Sequence, residues 1–232
     1  MMTRCVLFLL VWQVSFFLND IKAQDWANLT KYQKSNTELL QSATNPIDAV
    51  FMGNSITEGW YALHPDFFNN HKFVGRGISG QTTPQMLLRF RQDVIALKPK
   101  RVVILAGTND VAGNTGPMTL EQIRDNIWSM AQLAKANGIE PIICSVLPAQ
   151  TYPWRPEKQP DKDIPALNEL LKVLCKDHNY TYLDYFSAMD NGENGLSKDL
   201  AEDGVHPTEK GYLIMEAQVL KVLKPLVSTK RE

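Results

Sequence analysis

Arg101-Val102-Val103-Ile104-Leu105-Ala106 is an apolar run that stops abruptly at Gly107-Thr108-Asn109-Asp110, and this junction decides the fold. A short run without polar alternation reads as a strand buried on both faces, the habit of parallel sheets covered by helices. Runs of the same kind recur at Ala49 to Met52, Phe73 to Ile78, Pro141 to Leu147 and Tyr180 to Tyr185. Longer amphipathic stretches separate them. Leu120, Ile123, Ile127, Met130 and Ala134 follow one helical face, entered through the capping-box spacing of Thr119 and Gln122 and stopped at Asn137-Gly138. Met86, Phe90, Val94 and Leu97 repeat the pattern, as do Ile164, Leu167, Leu171 and Leu174, and finally Tyr212, Met215, Val219 and Val222. A further helix is expected from Trp26 to Ser42. The alternation predicts one three-layer α/β domain, a parallel sheet of about five strands with helices on both faces.

The stretch from Pro148 to Asp163 breaks the alternation. Pro148, Pro153, Pro156 and Pro160 forbid regular structure, so a long loop is expected, at the carboxyl ends of the strands where open parallel sheets take their ligands.

Composition excludes several function classes. With 44% hydrophobic and 21% charged residues the chain has the balance of a folded protein, and 24 Lys plus Arg against 25 Asp plus Glu leave no positive field for nucleic acid or an anionic membrane. The first residues differ from the rest. Met1 to Arg4 are short and basic, Cys5 to Leu18 are almost wholly apolar, and Ala23 precedes Gln24. That pattern predicts a signal peptide over residues 1–23 and a single domain over 24–232, exported to a periplasm or the medium. The apolar run falls short of the roughly 20 residues that span a bilayer, and Cys5 precedes it, so no membrane or lipid anchor is expected after cleavage. Cys144 and Cys175 read as core residues; their separation in sequence leaves a bridge between them open, and likewise nothing fixes an oligomeric state.

Four polar segments carry the chemistry: Gly53-Asn54-Ser55-Ile56-Thr57, Gly77-Ile78-Ser79-Gly80, Gly107-Thr108-Asn109-Asp110 and Asp203-Gly204-Val205-His206-Pro207. The first three follow predicted strands, so in a parallel sheet they emerge on one edge and Ser55, Gly80 and Asn109 converge. Such a group suits acyl transfer through a serine. Ser55 at a strand-to-helix turn is the candidate nucleophile, His206 its base, and Asp203, three residues before His206, the carboxylate that holds the imidazole. The Ser55 and Gly80 backbone N–H groups and the Asn109 amide are candidate oxyanion donors.

In these four blocks the sequence resembles the SGNH or GDSL-type esterases and acylhydrolases, named for their Ser, Gly, Asn and His. The resemblance implies a flavodoxin-like fold, hydrolysis of carboxylic esters through a covalent acyl-enzyme, and no cofactor or metal. One departure stands out: the family usually has Asp where this chain has Asn54, which keeps the shape and an acceptor oxygen but loses the charge. Thr57 in place of a second glycine disfavours the Gly-x-Ser-x-Gly elbow of another hydrolase class.

Two readings compete with a serine hydrolase: a metal-dependent hydrolase using Asp110, Asp203 and His206, and a non-catalytic glycan-binding relative. As to substrate, Trp60, Tyr61 and His64 soon after Ser55, and Tyr152, Trp154 and Arg155 in the proline-rich loop, offer aromatic surfaces and a hydrogen-bonding fork. Such surfaces suit a sugar ring, and about five βα units leave little chain for a lid or acyl tunnel, so a short acyl group, most simply acetyl, is expected on a small-molecule or glycan ester. A lysophospholipase or thioesterase is the alternative.

Overall fold

A computed structural model describes residues 25–42 and 46–223. The region predicted as a signal peptide lies outside the described residues. In chain order the elements are α1 (Gln33–Gln41), β1 (Ala49–Gly53), α2 (Ser55–Leu63), α3 (Pro65–Asn70), β2 (Phe73–Gly77), α4 (Thr83–Asp93), a 3-10 turn, β3 (Arg101–Leu105), α5 (Thr108–Val111), α6 (Leu120–Ala136), β4 (Glu140–Cys144), α7 (Pro160–His178), β5 (Thr181–Leu183), α8 (Phe186–Met189) and α9 (Glu209–Leu223). All five strands are parallel, in the order β2-β1-β3-β4-β5.

Strand periodicity sorts the core into two halves. Val50 and Met52 of β1, Val102 and Ile104 of β3 and Ile143 of β4 pack under α4, α6 and α7; Ala49, Phe51, Val103, Leu105, Ile142 and Cys144 face α2, α3 and α9. Both faces are covered, which explains why the strands carry unbroken apolar runs. Cys175 belongs to the first half and Cys144 to the second, so the sheet separates the two thiols and both are free. The bridge that the sequence left open does not form.

Four expectations need correction. β5 spans Thr181–Leu183 and not Tyr180 to Tyr185, since the Ser145 hydroxyl accepts the Tyr185 and Phe186 N–H groups at 2.8 Å each. The predicted Trp26 to Ser42 helix begins only at Gln33, because Asp25 takes the backbone N–H groups of Leu29 and Thr30 at 2.8 and 3.1 Å and fixes turns instead. β4 ends at Cys144 and not Leu147: the Asn168 side chain accepts from Val146 N–H at 2.8 Å and donates to its carbonyl at 3.0 Å, replacing the ladder. The loop expected to reach Asp163 ends at Gln159, since a proline is tolerated at the first helical position and Pro160 opens α7. The Thr119 and Gln122 capping box forms as its spacing predicts, with bonds of 2.9 and 3.2 Å.

Candidate active site

The strand order reverses between β1 and β3, and at such switch points the loops part and leave a crevice. Ser55 follows β1, the Ser79-Gly80 turn follows β2 and Asn109 follows β3, so these segments sit around that point.

Ser55 is the first residue of α2. Asn54 caps the helix, accepting the Ile56 N–H through Oδ1 at 3.1 Å. This needs an acceptor oxygen and no charge, so Asn54 serves the cap as an Asp would. α2 lies close on β2: a Cβ at Gly77 would sit 2.2 Å from the Glu58 backbone nitrogen, so only glycine fits there.

Ser55 Oγ lies 2.9 Å from His206 Nε2, and His206 Nδ1 lies 2.6 Å from Asp203 Oδ2. The other Asp203 oxygen accepts the Val205 and His206 N–H groups at 2.9 and 2.8 Å, a turn made possible by Gly204 at φ +79°. Partial burial raises the Asp203 carboxyl, but the bonds from the His206 ring and the two amides outweigh it and hold the group below its ordinary value. An ionised carboxylate only accepts, so Nδ1 carries the proton and donates it to Asp203, leaving Nε2 of the neutral ring to accept from the Ser55 hydroxyl. This chain of bonds can draw a proton from a serine hydroxyl.

Gly80 is exposed, at φ +77°, with nothing within 4 Å of the place a Cβ would take. Asn109 is buried and donates one Nδ2 hydrogen to the Gln81 carbonyl at 3.0 Å, which fixes its amide beside the Gly80 turn. Its neighbour Asp110 points elsewhere. Asp110 Oδ1 accepts the Thr83 N–H and hydroxyl at 2.8 and 2.6 Å, Oδ2 has no partner, and burial pushes the carboxyl up to about 6 against the pull of those bonds. Asp110 therefore engages α4, not Asp203 and His206; among the described residues no group of three or more His, Cys, Asp or Glu side chains is arranged to hold a metal.

The aromatic residues divide. Trp154 is 41% exposed, stacks on Tyr152 at 5.1 Å, lies 6.3 Å from the His206 ring and donates from Nε1 to Asn114 Oδ1 at 3.3 Å. Arg155 donates to the Gly113 carbonyl at 3.3 Å. Tyr152 is corrected from a surface to a support: it is fully buried, with its hydroxyl 2.8 Å from Thr108 Oγ1. Trp60 is corrected likewise, since it is 1% exposed, stacked between Phe67 and Tyr212, with its N–H on Glu216. Tyr61 covers Gly75 on the edge strand β2 and lines a groove with α1, while His64 lies 2.6 Å from Glu216 in a hollow with Pro65 and Asp66. Neither hollow includes Ser55, Asp203 or His206.

Sequence reasoning missed the support beneath the site. Arg89, fully buried, donates to the Gly53 carbonyl at 2.9 Å, to Gln81 Oε1 at 2.6 Å and to Asp93 at 3.1 Å, joining the end of β1 to the segment on which Asn109 rests. The available signal was an Arg and an Asp four residues apart within the Met86, Phe90, Val94 stripe, where apolar residues are expected.

The family description of GDSL-like lipases and acylhydrolases matches residues 51–214. A GDSL-like lipase of known structure from Bacteroides thetaiotaomicron is 46% identical over 85% of this chain and 97% of its own, with a TM-score of 0.81. Esterase TesA of Pseudomonas aeruginosa is 27% identical over 76% of this chain and 83% of its own. An acetylxylan esterase of Geobacillus stearothermophilus is 25% identical over 69% and 74%. Family match, parallel sheet and similar structures agree: the chain belongs to the GDSL-like lipase/acylhydrolase family and is a carboxylic ester hydrolase.

Proposed function

We propose that the chain hydrolyses short-chain esters, acetyl above all, on carbohydrate, through a triad of Ser55, His206 and Asp203. The observation that carries the triad is the continuous path of hydrogen bonds from Ser55 Oγ through the His206 ring to Asp203. Ser55 Oγ attacks the ester carbonyl carbon as His206 Nε2 takes its proton, and Asp203 stabilises the imidazolium. The developing oxyanion is held by the Ser55 and Gly80 N–H groups and the Asn109 amide. His206 then protonates the departing alkoxide. Water, deprotonated by the same nitrogen, attacks the acyl-enzyme, releasing the acid and returning Ser55.

The substrate reading rests on Trp154. Its exposed indole lies beside His206, with Asn114 and Arg155 as polar neighbours, and a flat apolar face with polar edges matches a sugar ring. The acetylxylan esterase relative is in keeping with that chemistry. Export by way of a cleaved leader at residues 1–23 belongs to the same proposal, and the amino-terminal sequence of protein recovered from an expressing host tests it.

A single assay series tests the reaction and substrate. Ser55→Ala folds but loses essentially all hydrolysis of p-nitrophenyl acetate, acetylated xylan is deacetylated by the parent protein, and kcat/KM falls from acetate through octanoate to palmitate. Full activity in Ser55→Ala overturns the triad; kcat/KM climbing with chain length overturns the acetyl-glycan reading and leaves the triad standing.

A further inference from the structure

Glu58 lies on α2, one turn after Ser55, and faces the turn that carries Gly80. Its Oε2 accepts the Ser79 backbone N–H at 2.7 Å and the Ser79 hydroxyl at 2.6 Å, while Oε1 accepts from Lys31 Nζ at 2.7 Å. Ser79 is bonded directly to Gly80, so the peptide whose N–H is assigned to the oxyanion is tied at one end to the helix that carries the nucleophile.

The turn needs such a tie. Gly80 is exposed and has a left-handed backbone, without a side chain to pack, so its orientation depends on its flanks. On the downstream flank Gln81 is fixed by Arg89 at 2.6 Å and by the Ala27 carbonyl at 2.7 Å, and Asn114 reaches the Gly80 carbonyl at 3.3 Å. On the upstream flank Ser79 is held through Glu58. We infer that Glu58 is a positioning residue for ester hydrolysis, clamping the Ser79-Gly80 peptide to the Ser55 helix so that the Gly80 N–H stays aimed at the developing oxyanion. This rests on the reading of Gly80 as an oxyanion donor.

The charge state fits the task. Partial burial raises the Glu58 carboxyl, but the bonds from Lys31 and Ser79 outweigh it and keep the group below its ordinary value, hence ionised and purely an acceptor. Lys31 in turn offsets a negative charge that would otherwise oppose the oxyanion. A simpler role for an acidic residue in the first turns, easing the helix dipole, would change stability and leave turnover alone.

That difference defines the experiment. Glu58→Ala, Glu58→Gln, Ser79→Ala and Asn109→Ala are compared with the parent on p-nitrophenyl acetate, with folding checked by circular dichroism. Glu58→Ala loses about ten- to a hundredfold in kcat with KM within about twofold, because a misaimed donor is missed mainly in the transition state. Glu58→Gln keeps an acceptor for the Ser79 N–H and recovers most of the loss. Ser79→Ala, which removes half of the clamp, falls between and carries the test if Glu58→Ala does not fold. Retention of kcat in both Glu58→Ala and Ser79→Ala, a loss confined to KM, or a Gln variant as slow as Ala overturns the clamp. Where Asn109→Ala is slow while the Glu58 and Ser79 variants are not, the oxyanion reading survives and the clamp alone fails; where Asn109→Ala is also unimpaired, both fall.

Discussion

Asn109 and Asp110 are adjacent, both buried, and do different things. Asn109, tethered by the Gln81 carbonyl, is the proposed oxyanion donor through its other amide hydrogen. Asn109→Ala is expected to lower kcat by roughly 10² to 10³ with little change in KM, since one preorganised donor to the transition state is lost; steady-state kinetics check the split. Asp110 instead links stability to pH. Burial pushes its carboxyl up to about 6 in the folded chain, above its ordinary value of 3.8, so between those values the native state holds a proton that the unfolded state releases. The associated stability is fully present below pH 3.8 and is lost as pH rises towards 6, amounting to about 3 kcal/mol. Asp110→Asn keeps an acceptor for Thr83 and does not titrate. Its stability relative to the parent therefore improves by about 2 kcal/mol between pH 4 and pH 7, most of that amount. Urea unfolding at both values measures the change, and a constant difference contradicts it.

At the scale of elements, α4 joins two segments of the candidate site through one side chain. Arg89 meets the Gly53 carbonyl, Gln81 and Asp93 inside the core, where burial lowers its pKa although Asp93 opposes the shift. Arg89→Ala leaves Asp93 as a buried charge without its ion-pair partner, held by the Asn36 amide at 2.8 Å, and orphans Gln81 Oε1, while the Gly53 carbonyl keeps the Ile78 N–H, so the loss is expected to reach about 3–5 kcal/mol, read from chemical denaturation. Restoration by Arg89→Lys should be incomplete, because one ammonium cannot reproduce the fork that meets three acceptors. The proline-rich segment after β4 works differently: buried Tyr152 anchors it on Thr108, and exposed Trp154 is carried to His206.

For the molecule as a whole, the sheet is a partition. Cys144 and Cys175 lie in the core halves on its two sides, and burial raises both thiols, Cys175 to about 12. Neither is a ready thiolate. The midpoint of thermal unfolding is expected to be the same with and without reductant, and neither thiol should react with a maleimide until the protein unfolds; a mass decrease of two hydrogens or rapid native labelling contradicts this.

Most strands and helices were legible in the sequence, because apolar period and capping chemistry are written in neighbouring residues: Thr119 with Gln122, the unbroken Arg101 to Ala106 run, the Ile123 to Ala134 stripe; the end of β4 was not, since distant Asn168 sets it. The sequence also singled out Ser55, Asp203 and His206, since strand-end loops of a parallel sheet must share an edge and an Asp-x-x-His turn is local. Contact between distant segments is settled by the folded chain. The strand order, the burial of Trp60 by Phe67 and Tyr212, the concealment of Tyr152 beneath Trp154 and the reach of Arg89 to Gly53 and Gln81 all depend on which surfaces meet. An aromatic or charged side chain has the same local signature on a rim as in a core, and its role is fixed only when another part of the chain covers it.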